Sequence, residues 1–109
     1  MKPFYYQRPD QAPNFGDELN HWLWNKLAPE LFEPGNGTYG AQDTVFVGTG
    51  TLLNDKLASR VQPANKLVVF GTGAGYEKPL QSIPESWEIC CVRGPLSAKQ
   101  LGLPAEKAI

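Results

Sequence analysis

Histidine is nearly missing from this chain: its 109 residues hold one, His21, beside two cysteines and a single methionine. One imidazole cannot build a metal site, and no Cys, His and carboxylate cluster with ligand spacing makes up for it, so the sequence supplies no metal centre. No serine or cysteine has an evident base partner, which leaves Ser-His-Asp hydrolysis without support. Long apolar runs are lacking as well. No stretch approaches the ~20 residues of a membrane span, and the opening MKPFYYQR has neither the apolar core nor the small-residue cleavage site of a secretory signal. A cytoplasmic protein with no membrane span is expected. Charge of one sign is also absent: ten Lys and Arg stand against eleven Asp and Glu, a net of −1 with no like-charged block. That excludes a nucleic-acid footprint and a polybasic membrane patch.

What the chain does have is three apolar, β-prone runs that stop abruptly. Val45-Phe46-Val47 ends in Gly48-Thr49-Gly50, Leu67 to Phe70 ends in Gly71-Thr72-Gly73-Ala74-Gly75, and Ile89 to Val92 ends in Arg93-Gly94-Pro95. Short continuous apolar runs suit strands buried on both faces, and in open parallel sheets a ligand sits beyond the carboxyl ends of the strands. The glycines, Gly50 and Gly73 among them, therefore line the expected working edge. Cys90 and Cys91 are neighbours within a strand and point to opposite faces, so they close no structural disulfide and are expected as buried free thiols.

Around these strands the pattern predicts a first strand at Phe4 to Tyr6, a loop from Pro9 to Pro13, and a helix from Asn14 to the break at Pro29. Leu19, Trp22, Leu23 and Leu27 fall on one face of that helix, which is expected to pack on the sheet. Glu33 to Gly40 reads as a surface connection, dense in turn formers. Asp43 to Val47 is the second strand, Thr51 to Ala58 a helix, Lys66 to Phe70 the third strand, Gly75 to Ser86 a loop and Trp87 to Val92 the fourth strand. Pro95 opens a helix over Leu96 to Leu101 that Gly102 and Pro104 end. The alternation implies an α/β fold with right-handed crossovers and a mainly parallel sheet. The chain ends at Glu106 to Ile109, immediately after a helix and its turn, where a further strand is expected, so the domain reads as incomplete at its carboxyl end. An open sheet edge then calls for pairing with a further domain or for self-association.

Several positions suit ligand contacts. Asn14, Gly16 and Asp17 place an amide, a position without side chain and a carboxylate at a helix start, where N–H groups favour an anion or a sugar hydroxyl; capping of that helix explains Asn14 and Asp17 equally well. Gly71 to Gly75 fails the dinucleotide fingerprint, since position 76 is tyrosine and no helix follows, and it lacks the Lys-Ser/Thr ending of a P-loop, so no cofactor is expected. A strand-end contact to a polar ligand and a plain structural turn both remain open for it. Arg93, between a strand and a helix, is placed to hold a carboxylate or phosphate through two donors, or to serve as a surface ion-pair partner. Ser97, one turn on, offers a hydroxyl. His21 reads as an exposed helix residue.

Four segments together resemble the polysaccharide pyruvyl transferase family, and within it the bacterial succinoglycan-type ketal transferases: Asn14-Phe15-Gly16-Asp17-Glu18-Leu19-Asn20, Val45 to Leu53, Val69 to Tyr76, and Cys91-Val92-Arg93-Gly94-Pro95-Leu96-Ser97-Ala98. The resemblance implies a Rossmann-like amino-terminal domain over residues 1–109 of a two-domain, GT-B-like transferase of exopolysaccharide biosynthesis. It implies phosphoenolpyruvate and a saccharide acceptor, lipid-linked, as partners, and transfer of pyruvate to the sugar as a ketal. By that likeness Arg93 grips the donor, while the Asn14 to Asp17 loop and Gly73 face the cleft near the saccharide. The family's catalytic histidine lies in its carboxyl-terminal half and His21 does not match it, so no catalytic residue is assigned here and the isolated chain is expected to be inactive. Two other readings stand beside this one: a fragment of a GT-B nucleotide-sugar glycosyltransferase, and a non-catalytic module that pairs with a separate second half.

Overall fold

The computed structural model describes residues 1–4, 15–32, 39–74, 80 and 82–109; within 15–21, side chains are described only at 19 and 20. Asn14 and the Pro9 to Pro13 loop lie outside the described residues. Four strands, β1 (Lys2–Phe4), β2 (Thr44–Val47), β3 (Lys66–Phe70) and β4 (Trp87–Cys91), form one sheet in the order β1-β2-β3-β4. Every pairing is parallel, with Phe4 opposite Val47, Val45 opposite Leu67 and Val69 opposite Ile89. This is the α/β class expected from the alternation, consistent with a Rossmann-like half-domain. Beyond β4, Ala108 pairs in parallel with Val92. There Val92 N donates to Lys107 O at 2.8 Å and Ile109 N to Val92 O at 3.0 Å, so the pairing edge continues where the sequence predicts a further strand.

The core lies on the face that carries Val45, Val47, Leu67 and Val69, against Leu52, Leu53, Leu57, Val61 and Ala98. Each valine or leucine among them, fully withdrawn from water, contributes about 1.5–3 kcal/mol before chain entropy is counted. Helices α2 (Leu57–Arg60) and α3 (Gly94–Gln100) serve this face. Helix α1 (Phe15–Leu27) serves the other one, where Trp24 meets Phe46 edge-on at 4.8 Å and Phe70 at 6.1 Å. Covering both faces is what lets β2 bury Val45, Phe46 and Val47 in succession. The β1-to-β2 and β2-to-β3 connections step the same way across the sheet but carry their helices on opposite faces. Their hands are therefore opposite, and the uniform right-handedness expected of such crossovers does not hold.

Three further expectations need correction. The buried side of α1 is not the Leu19, Trp22, Leu23, Leu27 stripe: Trp22 is 56% exposed and Leu27 67%, while Asn20 and Trp24 are buried. Helix α2 covers only Leu57–Arg60 and not Thr51 to Ala58: residues 52 and 53 stand outside it, in the loop that is stitched to the one after β3, where Leu52 N donates to Thr72 Oγ1 at 3.0 Å and Leu53 N to Gly73 O at 3.1 Å. Both cysteines are free thiols, but only Cys91 is buried; Cys90 is exposed. Partial burial of its sulfur, then the Glu88 carboxylate, pushes the Cys90 thiol up, away from reactive thiolate.

At the opposite end of the sheet Asp43 accepts from Gly40 N at 2.6 Å and pairs with Lys2 Nζ at 2.9 Å. The Gly40 N–H, then Lys2, holds its carboxyl below the usual 3.8. A depressed folded pKa means the contribution is present above the unfolded value and is lost as pH falls through the folded one. The stability gap between wild type and Asp43→Asn is therefore expected to close on acidification below pH 3.8. Denaturant melts across that range measure it, and a gap unchanged in acid contradicts the assignment.

Candidate functional site at the carboxyl ends of the strands

The loops that leave β2, β3 and β4 meet at one edge and are sewn together through their backbones. Gly73 N donates to Gly50 O at 3.0 Å and Arg93 N to Thr72 O at 3.0 Å. Ser97 Oγ accepts Ala74 N at 3.1 Å, which ties α3 to the β3 loop. Helix α1 joins from the far face through Asn20. Its Oδ1 accepts Thr49 N at 3.0 Å and Trp24 Nε1 at 2.6 Å, and its Nδ2 donates to Thr49 O at 3.1 Å. A buried amide without partners costs about 1–3 kcal/mol, so this satisfaction is what permits Asn20 to be only 1% exposed.

Arg93 lies across the finished edge. Nη1 donates to Gly50 O at 3.0 Å and Nη2 to Thr51 Oγ1 at 2.7 Å. Beneath it is Gly73, where an added Cβ stands 2.7 Å from Nη2 and 3.0 Å from Cζ. The Arg93 guanidinium therefore occupies the space that a side chain at position 73 would take. Both acceptors of the guanidinium are neutral, the residue is exposed, and no carboxylate pairs with it among the described residues. The ion-pair reading of Arg93 finds no partner there. A guanidinium carries five N–H groups; with two engaged, the Nε–H and one on each Nη stay available.

The sites read from sequence thus separate into groups. Gly50, Gly73 and Arg93 come together. Ser97 is adjacent but 5% exposed, its hydroxyl facing the β3 loop. Gly16 lies on α1 one turn before Asn20, on the side of the helix that approaches Thr49, and Asp17 follows it. Asn14 lies outside the described residues. Sequence reasoning did not single out Thr51 and Asn20 as site residues. Thr51 directly follows the second glycine of the β2 loop, and Asn20 is the polar residue one helical turn before Trp24; these were the signals available.

Fold and edge together define an α/β protein whose parallel strands present at their carboxyl ends a preset guanidinium with no carboxylate partner among the described residues. Over 110 aligned residues spanning the whole chain, it is 43% identical to the succinoglycan biosynthesis protein ExoV of Rhizobium meliloti (strain 1021). The chain spans 31% of that protein's length. No family model matches the chain, and no solved structure matches it. Among the described residues no helix is long and apolar enough to cross a membrane, and no group of three or more His, Cys, Asp or Glu gathers as for a metal ion.

Proposed function

We propose that this chain is the amino-terminal part of an exopolysaccharide pyruvyl transferase, which moves the pyruvyl unit of phosphoenolpyruvate onto two hydroxyls of a saccharide. The likeness to a succinoglycan biosynthesis protein supports the pathway class. One observation carries the rest: the exposed Arg93 guanidinium, held by neutral oxygens above Gly73, with N–H groups left for a carboxylate or phosphate. In the reaction the donor's methylene carbon takes a proton and becomes a methyl group. Its central carbon gains two C–O bonds to the sugar and loses its bond to the phosphate oxygen, and phosphate leaves with the second hydroxyl proton. Arg93 supplies positive charge to the donor throughout, in an orientation set before binding. The general acid for the methylene belongs to the remainder of such a protein.

A chimera in which this chain replaces the matching segment of ExoV tests the reading. It is expected to release phosphate from phosphoenolpyruvate when given a lipid-linked saccharide acceptor and to add pyruvate ketal to it. The 109-residue chain alone is expected to give no turnover. A chimera that folds, ignores phosphoenolpyruvate and consumes a nucleotide sugar instead removes the proposal.

A further inference from the structure

We propose that Thr51 is the positioning residue for Arg93, and that its hydroxyl sets the affinity of this edge for anions. The inference deepens the reading above and rests on it for the identity of the anion. Two adjacent residues of the β2 loop supply both anchors of the guanidinium: the Gly50 carbonyl takes Nη1 at 3.0 Å and the Thr51 hydroxyl takes Nη2 at 2.7 Å. The anchors do different work. The Gly50 carbonyl is also held by Gly73 N at 3.0 Å, so it is part of the sewn backbone and no side-chain change removes it. Thr51 is the side-chain anchor, and without it the guanidinium keeps one bond about which it can pivot. Gly73 below prevents tilt toward the sheet, since the Arg93 side chain already fills the space a Cβ would take. Two bonds and one surface therefore hold the plane of the group, and with it the directions of the N–H groups that those two bonds leave over. A carboxylate or phosphate read through two parallel N–H bonds depends on those directions in a way that a point charge does not. Thr51 is half-buried and lies outside the regular elements, so its loss is expected to leave the fold intact.

The test compares Thr51→Val, which keeps shape and removes the acceptor, with Thr51→Ser, which restores it. In the labelled 109-residue chain the Arg93 Nε–H resonance is expected to shift and exchange faster with water in Thr51→Val and to stay in place in Thr51→Ser. Titration with phosphoenolpyruvate, inorganic phosphate and a uridine-diphosphate sugar then reads affinity. Phosphoenolpyruvate binding is expected to weaken about tenfold in the valine variant and to stay within about twofold in the serine variant, the loss of one charge-assisted hydrogen bond. Wild-type affinity in Thr51→Val, or a serine variant as weak as the valine one, overturns the proposal. So does the absence of any response of the Arg93 resonance to all three anions. If phosphate or the nucleotide sugar binds with this Thr51 dependence while phosphoenolpyruvate does not, the positioning role stands and the donor reading falls.

Discussion

Alanine at position 48 is expected to destabilise the protein more than its size suggests. The new Cβ would stand 2.5 Å from Trp24 Nε1 and 2.6 Å from two further ring atoms, inside van der Waals contact. Trp24 has nowhere to retreat: Phe46 meets its ring at 4.8 Å, Phe70 at 6.1 Å, and its Nε1 is bonded to Asn20. Overpacking of a rigid ring costs about 1–3 kcal/mol, and release of the Asn20 bond adds about 1 kcal/mol. The sum, about 2–4 kcal/mol, corresponds to a melting temperature lower by roughly 10–20 °C for a domain of this size. Because Asn20 also holds Thr49, the damage is expected to spread to the loop that carries Gly50. Thermal and urea melts of Gly48→Ala, Trp24→Phe and the double variant check the mechanism. A smaller ring makes room, so the double variant is expected to be more stable than the two single losses add up to. A cost below about 0.5 kcal/mol for Gly48→Ala, the range of an ordinary surface change, contradicts the packing.

Arg93→Ala and Gly73→Ala are expected to act in the opposite way, leaving the protein folded and weakening the proposed anion contact. Arg93 is exposed, so its loss is expected to cost no more than its two hydrogen bonds to the β2 loop, about 1–2 kcal/mol. A bidentate, charge-assisted contact contributes about 3–6 kcal/mol to an anion, so binding is expected to fall at least about a hundredfold. Gly73→Ala reaches a similar end by displacement. All three of the nearest atoms to the added Cβ belong to the Arg93 guanidinium group, the free end of a flexible side chain, so it yields at little cost and leaves its anchors. Affinity is then expected to fall roughly tenfold or more with the melting temperature preserved. Arg93→Lys separates charge from geometry, since an ammonium keeps the charge and cannot bridge Gly50 and Thr51 as a planar fork does. Calorimetry with phosphoenolpyruvate reads all three variants, and wild-type affinity in Gly73→Ala excludes the cradle as a functional device.

The strands were legible because the signal is local. Four short apolar or aromatic runs, each ended by glycine, arginine or loop residues, mark the strands, and the helical spacings between them favour a parallel sheet. Burial on both faces, expected of the runs in β2, β3 and β4, holds for β2 alone, since β3 and β4 alternate buried with exposed positions. The first strand, expected at Phe4 to Tyr6, covers Lys2–Phe4 among the described residues. Helix α1 shows where local signals stop. Its hydropathy pattern favours Leu19, Trp22, Leu23 and Leu27, yet the helix turns Asn20 and Trp24 inward. Asparagine counts as polar on any scale, and its burial is permitted only by a loop 29 residues away whose N–H and C=O it satisfies. The place of α2 has the same origin, since Leu52 is tied to Thr72, 20 residues on, and the helix covers Leu57–Arg60 instead of Thr51 to Ala58. Cys90 departs from expectation because α1 reaches the sheet at Phe46 and Phe70, while Cys90 on β4 stays exposed.

By itself, then, the order of residues determined the α/β class, the parallel pairing and the edge at which Gly50, Gly73 and Arg93 are found, because periodicity and turn chemistry act over a few residues. Tertiary structure decided which side of α1 is buried, that the Arg93 guanidinium rests on Gly73, and that Thr51 holds Arg93. Those depend on hydrogen bonds and close contacts between loops 20 to 43 residues apart in the chain, and no local pattern encodes a partner at that distance.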